Sequence, residues 1–327
     1  MPKAIRIEKT GGPEILRWAD VEVGEPGEGQ ARIRHTAVGV NFIDTYHRSG
    51  LYPVPLPSGL GGEAAGVVEA VGPGVTAVRP GDRVAYAGGP PGAYSESRVV
   101  PAHILVPIPD GVTDRTAAAV MLKGMTAQYL IRRTYPVKAG ETVLFHAAAG
   151  GVGLIACQWL NALGATVIGT AGTDEKAAVA RDHGCAHVIV STREDVAKRV
   201  REITGGAGVP VVYDSVGKDT FLGSLDCLRP LGLMVSFGNS SGKVTPFDLG
   251  ILSQKGSLYL TRPTLATYTS TRAELEATAR DVFDIIREGK VKVEVRHTYP
   301  LAEAERVHRD LEGRRTVGSI VMIPSGA

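Results

Sequence analysis

The sequence predicts an α/β chain in which a doubly wound parallel sheet follows a β-rich region punctuated by Gly and Pro. Three observations predict it. From Thr142 to Thr261, short apolar strands alternate with helical stretches, the order that a parallel sheet with helical crossovers requires. The strand Val143-Leu144-Phe145 leads into His146-Ala147-Ala148-Ala149-Gly150-Gly151-Val152-Gly153 and then into the apolar helix Leu154–Leu160, a glycine turn between strand and helix. The first third breaks into short strands bounded by turn residues, the pattern of a compact, partly open barrel.

Each element follows in order. Met1–Glu8 alternates like a strand and lacks the features of a signal peptide. Ala31–Val38, Gly66–Val71 and Asp82–Tyr86 are further strands. Thr113-Asp114 caps a helix through Ala117–Val120, and a second helix is expected over Met125–Arg132. The sheet strands are expected at Thr142–Ala147, Thr166–Thr170, His187–Val190, Val209–Asp214, Leu231–Phe237 and Ser257–Thr261, with helices such as Asp174–His183, Asp195–Ile203 and Thr220–Leu228 between them. After Pro263 come a helix over Arg272–Glu288, the stretch His297–Leu301, a helix over Glu303–Leu311 and a strand over Gly318–Ile323. This tail has too little apolar surface to fold alone. The expected division is therefore 1–123, 124–262 and a return segment, 263–327, packing on the first region.

A net charge of +2 over 327 residues points away from nucleic acid and anionic membranes as partners. No apolar run is long enough to span a bilayer. Cys157, Cys185 and Cys227 are widely spaced and odd in number, which suits buried free thiols in a reducing compartment. A soluble cytoplasmic protein is the expectation.

The glycine turn carries the main functional signal. It lets backbone N–H groups approach a diphosphate, and the helix N-terminus adds partial positive charge. Strand before, helix after and a second strand about 20 residues on are the context of a Rossmann dinucleotide site. An acid at the end of the second strand would accept bonds from an unphosphorylated ribose. Here that strand ends in Gly169-Thr170-Ala171-Gly172-Thr173, and Asp174 and Glu175 fall in the next helix. Gly172 leaves room for a 2′-phosphate, and Lys176 and Arg193 can neutralise it, so NADPH is the expected cofactor.

The chain resembles the medium-chain dehydrogenase/reductase superfamily and, within it, the zinc-free quinone oxidoreductase (zeta-crystallin-like) branch. The resemblance rests on Gly39–Tyr46, Arg48–Pro53, Gly61–Val68, Gly81–Val84, Ala147–Gly153, Asp214–Gly217 and Ser236–Gly242, in that order along the chain. It implies a GroES-like β-rich catalytic domain, built from both chain ends, around a six-stranded Rossmann domain. Zinc relatives carry Cys where this chain has Asn41 and His where it has Gly62, beside the shared Glu63. A catalytic zinc needs about three protein ligands, so no metal is expected.

Without a metal, hydrogen-bond donors must stabilise charge developing on the acceptor. Asn41, Tyr46, Tyr52 and Lys123 are the candidates, and the resemblance places the first three at the mouth of an interdomain cleft. Tyr46 also matches a family tyrosine that touches the nucleotide. Asp44 reads as a helix cap. By resemblance, Thr126, Gly150, Gly151, Val152, Gly153, Gly172, Lys176, Phe237, Gly238, Asn239, Ser240, Tyr259, Leu260, Thr261 and Arg314 contact the cofactor. One departure is Ser191-Thr192, where some relatives place Tyr or His near the adenosine phosphate.

The implied activity is zinc-independent reduction of quinones by NADPH. An enone or alkenal reductase is the enzymatic alternative. A nucleotide-binding protein with a structural or RNA-binding role is the alternative of another class. The sixth sheet strand would lie at an edge and could pair two copies of the chain.

Overall fold

The computed structural model describes residues 1–326. The chain divides into two compact units, one formed by Met1–Met125, Thr269–Arg287 and the chain from Val293 onward, the other by Thr126–Tyr268 and Glu288–Lys292.

The first unit opens with β1 (Lys3–Ile7) and β2 (Arg17–Asp20), then the long β3 (Gln30–Val40) and the short α1 (Phe42–Ser49). β4 (Ser58–Gly59), β5 (Glu63–Val71), β6 (Arg83–Ala87), β7 (Ser97–Pro101) and β8 (Val106–Pro107) follow. β1 lies between β2 and β4 in a small sheet. β3 is the spine of the larger one: its Ala31–Val38 stretch pairs antiparallel with β5, and β7 also pairs with it. Ile5, Ile33, Val68, Val84, Tyr86 and Leu105 fill the core of this unit.

α2 (Asp114–Tyr129) begins where Thr113 Oγ1 accepts a bond from the Thr116 N–H at 3.1 Å. Its Asp114 carboxylate is held by Arg83 and by the Thr36 hydroxyl. The separate helix expected from Met125 is not found. Ala117–Met121 and Met125 are fully buried, so one apolar helix runs through without a break. It ends in a π-helical turn, Leu130–Thr134.

The second unit alternates as expected: β9 (Thr142–Phe145), α3 (Gly151–Ala162), β10 (Thr166–Ala171), α4 (Asp174–Asp182), β11 (His187–Val190), α5 (Val196–Ile203), β12 (Val209–Asp214), α6 (Phe221–Cys227), β13 (Leu228–Ser236), α7 (Gly250–Gln254), β14 (Tyr259–Thr261) and α8 (Leu265–Tyr268). Six parallel strands stand in the order β11-β10-β9-β12-β13-β14. The direction of winding reverses between β9 and β12, and a doubly wound sheet binds ligands at the carboxyl ends of the strands there. Every residue of β12 is buried, as a strand covered on both faces requires. β13 starts three residues earlier than expected, at Leu228. β14 is shorter than expected: Ser257 adopts a left-handed conformation (φ 55°), which extended pairing does not tolerate.

The chain returns to the first unit through α9 (Arg272–Arg287), β15 (Val295–Pro300), α10 (Ala304–Glu312) and β16 (Ser319–Ile323). β16 pairs antiparallel with β3 and parallel with β15, extending the larger sheet. Leu301, Val307, Ile320 and Met322 join that unit's core. Among the described residues no helix is long and apolar enough to cross a membrane.

Candidate functional site

The second unit carries a glycine turn with the geometry a phosphate cradle needs. β9 ends at Phe145, Ala147 takes a left-handed conformation (φ 52°), and the Gly150 N–H closes the turn onto the Ala147 carbonyl at 2.9 Å. Gly150 caps α3, and no side chain caps it. The first-turn N–H groups of a helix lack intrahelical partners and suit a diphosphate. A Cβ on Gly153 would lie 2.5 Å from the Ala147 carbonyl oxygen and 2.6 Å from that of Ala148, so only glycine lets helix and turn approach this closely.

A buried polar network supports the turn, and its members are too scattered in sequence to be read there. Asp214 Oδ1 accepts the N–H groups of Val216 (2.7 Å) and Gly217 (3.1 Å). Its Oδ2 accepts the hydroxyls of Thr220 (2.7 Å) and Ser224 (3.1 Å). Ser224 Oγ in turn meets His146 Nε2 at 2.9 Å, and His146 Nδ1 meets Thr170 Oγ1 at 3.1 Å. Thr170 Oγ1 also accepts the Ala147 N–H at 3.2 Å. Because Ser224 donates to Asp214, it accepts from His146, which leaves Nδ1 to accept from Thr170. Burial lowers the pKa of His146, which keeps the ring neutral for this role. The network ties together the carboxyl ends of β9, β10 and β12.

At the end of β10, a Cβ on Gly172 would meet nothing within 4 Å. Thr173 caps α4 by accepting the Lys176 N–H at 3.3 Å, which sets Lys176 on the first turn beside Gly172. Arg193 lies beside it, as expected: Thr192 Oγ1 donates to the Gly172 carbonyl at 3.0 Å, and Arg193 forms an exposed bidentate pair with Asp174 at 2.5 and 2.6 Å. Each partner's pKa shifts toward the charged state, chiefly through this bond. The first-turn acid of α4 is close enough to pair with the guanidinium, which spacing along the chain does not reveal.

Phe237, Gly238, Asn239 and Ser240 follow β13. Phe237 packs on Phe145, with ring centroids 5.9 Å apart. The Ser240 N–H donates to Ser215 O at 3.2 Å, and Arg262 donates to Gly238 O at 2.8 Å. Asn239 and Thr126 are buried, whereas Tyr259 and Leu260 are 61% and 36% exposed. Arg314 is exposed in a left-handed turn (φ 57°) of the first unit.

The first unit carries a second constellation. Glu63, fully buried at the start of β5, accepts three donors: the Leu122 N–H at 2.7 Å, Asn41 Nδ2 at 2.7 Å and Lys123 Nζ at 3.0 Å. Lys123 is therefore neither a surface residue nor at a helix break; it is 5% exposed in the middle of α2. Asn41 precedes α1, and its backbone N–H is taken by Asp44 Oδ2 at 2.8 Å, the capping role expected of Asp44. Tyr46 and Tyr52 meet edge to face, 5.1 Å between centroids. The structure thus joins Asn41 to Lys123 through Glu63, and Tyr46 to Tyr52.

A line of contacts that sequence reasoning missed continues from Asp44. Tyr94 donates to Asp44 Oδ2 at 2.8 Å, Tyr94 and His308 Nε2 lie 3.2 Å apart, and His308 Nδ1 meets Arg48 at 3.0 Å. Arg48 closes on Glu312 with bonds of 2.9 and 2.7 Å. No spacing rule links residues 48, 94 and 308. Among the described residues, no three His, Cys, Asp or Glu side chains gather into a metal-holding group.

A dinucleotide cradle in a Rossmann unit, joined to a β-rich unit with a buried polar cluster, defines a medium-chain dehydrogenase/reductase. The comparisons agree. Residues 27–110 match the alcohol dehydrogenase GroES-like domain, and residues 151–282 match the family described as zinc-binding dehydrogenase. The second match covers most of the Rossmann unit and includes neither Asn41 nor Gly62. A quinone oxidoreductase of Pseudomonas aeruginosa is 57% identical over 99% of this chain and 100% of its own length. A 2-haloacrylate reductase of a Burkholderia species is 50% identical over 99% of each. The solved structure of Escherichia coli quinone oxidoreductase, complexed with NADPH, superposes with a TM-score of 0.97 at 53% identity, covering 98% of this chain and 100% of that one. The chain belongs to the quinone oxidoreductase family of medium-chain dehydrogenases/reductases.

Proposed function

We propose that this protein reduces quinones with NADPH and without zinc, the second unit holding the dinucleotide and the first supplying the groups that act on the acceptor. The observation that carries the reading is the glycine cradle, with an open Gly172 and no acid at the end of β10, in a chain this close to quinone oxidoreductases over its whole length.

Bound NADPH supplies the hydride. Gly151, Val152 and Gly153 present backbone N–H groups to the diphosphate, Gly150 shapes the turn that starts this helix, and Gly172 and Lys176 receive the 2′-phosphate. Thr126, Phe237, Gly238, Asn239, Ser240, Tyr259, Leu260, Thr261 and Arg314 complete the cofactor contacts we assign. Asn41 Nδ2 spends one N–H on Glu63 and has a second to offer the acceptor oxygen. Lys123 adds positive potential where negative charge develops. Tyr46 and Tyr52 give the flat acceptor an aromatic wall. The test is loss of NADPH absorbance with a panel of quinones. Turnover with none of them, while NADPH binds, rejects the reading. Lys176→Ala is expected to raise KM for NADPH about tenfold, as loss of a bond to a charged group predicts, and to leave KM for NADH unchanged.

A second reading is reduction of a conjugated carbon–carbon double bond, favoured by the similarity to a 2-haloacrylate reductase. The same assay with enones and acrylates against quinones separates the two.

We further propose a homodimer formed through β14, and a cytoplasmic setting that keeps the buried thiols of Cys157, Cys185 and Cys227 reduced. β14 is the last strand of its sheet, with Tyr259 and Leu260 exposed on it. A charge on such an edge blocks pairing, so Leu260→Lys is expected to convert a dimer to a monomer in light scattering. A monomeric parent protein removes the proposal.

A further inference from the structure

The donors around Asp44 run in one direction. Arg48 only donates, so His308 Nδ1 accepts from it and Nε2 carries the proton. Nε2–H therefore donates to the Tyr94 oxygen, which leaves the Tyr94 O–H to donate to Asp44 Oδ2. The Asn41 N–H donates to the same oxygen. Burial, with the Arg48 charge beside it, lowers His308 to about 3, so the imidazole remains the neutral link this order needs. Arg48 cannot release a proton, so the line anchors Asp44 to α10 and to Glu312 rather than conducting protons to the surface. Asp44 Oδ1 is buried and meets no donor. The carboxylate is thus held by Oδ2 alone, at the residue that caps α1.

We propose that Asp44 is a positioning residue for quinone reduction, its carboxylate seating Asn41 and Tyr46 on α1 and being itself held in place by Tyr94, His308 and Arg48. This rests on the quinone-reductase reading. An ionised carboxylate makes charge-assisted bonds, stronger than those of the neutral acid, so the ionised form is the one that fixes the cap. Burial raises Asp44 to about 7, with the Asn41 N–H, Tyr94 and Lys123 opposing and Glu63 assisting. The groups facing it are thus Tyr94 from the segment before β7, Lys123 from α2 and Glu63 from β5; His308 of α10 and Arg48 of α1 act through Tyr94. The sign follows: seating is complete above the midpoint and is lost as pH falls through it.

The test is the pH profile of kcat with NADPH and a quinone. Wild type is expected to lose kcat as pH falls through the Asp44 midpoint, with KM for the quinone unchanged. Tyr94→Phe removes one donor to the carboxylate, so the limb moves to higher pH by roughly one unit. Asp44→Asn flattens the limb. His308→Gln keeps one acceptor and one donor and preserves the profile, whereas His308→Leu shifts it as Tyr94→Phe does. Carbon-13 carboxyl NMR of the ligand-free protein follows Asp44 directly and is expected to show the same shift in Tyr94→Phe, whatever the acceptor. A limb that persists in Asp44→Asn, or an Asp44 resonance unmoved by Tyr94→Phe, overturns the proposal. Wild-type inactivity toward every quinone overturns the quinone reading instead, and the NMR titration then decides whether Tyr94 holds Asp44. If Asp44→Asn fails to fold, Tyr94→Phe alone decides the kinetic question.

Discussion

Gly153→Val is expected to weaken NADPH binding about ten- to a hundredfold while the first unit keeps its structure. The branched side chain would have to occupy space 2.5–2.6 Å from two carbonyl oxygens, those of Ala147 and Ala148. Neither can withdraw freely. The Ala147 N–H is tied to the Thr170 hydroxyl, and the Ala148 N–H to the Thr170 carbonyl at 2.9 Å. The strain therefore falls on the turn itself, displacing the N–H groups that would face the diphosphate. Overpacking of this kind costs about 1–3 kcal/mol, and each loss of about 1.4 kcal/mol from binding is tenfold in Kd. Fluorescence titration with NADPH measures the loss. Gly223→Ala, on the exposed side of α6, is the control, because a Cβ there enters open space away from the turn. It should preserve binding to within a few-fold. Equal binding by Gly153→Val and wild type would show that the turn does not receive the diphosphate.

The turn is legible in the sequence because its information is local: strand, glycines and helix lie within about twenty residues, and each constrains the next. The same holds for β11 and β12, whose runs of β-branched residues are bounded by turn residues. Local reading fails where the deciding contact comes from elsewhere. Gly124 suggests a break before Met125, but burial of the surrounding apolar residues overrides one glycine's preference. Arg193 is read as a phosphate partner by spacing alone, and its pair with Asp174 on the first turn of α4 comes from the fold and shows in no spacing. The cluster of the first unit is only half visible. Asn41, Tyr46 and Lys123 stand out as donors, whereas Glu63, which holds Asn41 and Lys123 together, shows in the sequence only as a neighbour of Gly62. Tyr94 and His308 carry no motif. Their roles come from folding, which brings α10 from the far end of the chain back to α1.

Glu63 and Lys123 give the second large effect. Lys123→Met leaves a fully buried carboxylate with only the Leu122 N–H and the Asn41 amide, and breaking a buried pair in this way costs about 3–5 kcal/mol. Glu63→Gln is expected to be as damaging. It strands the ammonium, and the new NH2 group must face either the Leu122 N–H or the Asn41 and Lys123 donors. The double variant Glu63→Gln/Lys123→Met removes both unpaired charges and leaves one NH2 group facing a donor. The glutamine oxygen can still accept from Asn41 Nδ2, whose orientation the cap of α1 fixes, while Met fills the space of the lysine stem. Thermal unfolding midpoints should therefore fall in each single variant and recover in part in the double, a coupling expected of residues in direct contact. Kinetics then separate packing from electrostatics. If Lys123 serves only to neutralise Glu63, the double variant regains quinone turnover with its stability. If its charge stabilises the acceptor oxygen as proposed, kcat stays about tenfold down or more in a protein that has regained stability, because neither Gln nor Met can replace that charge.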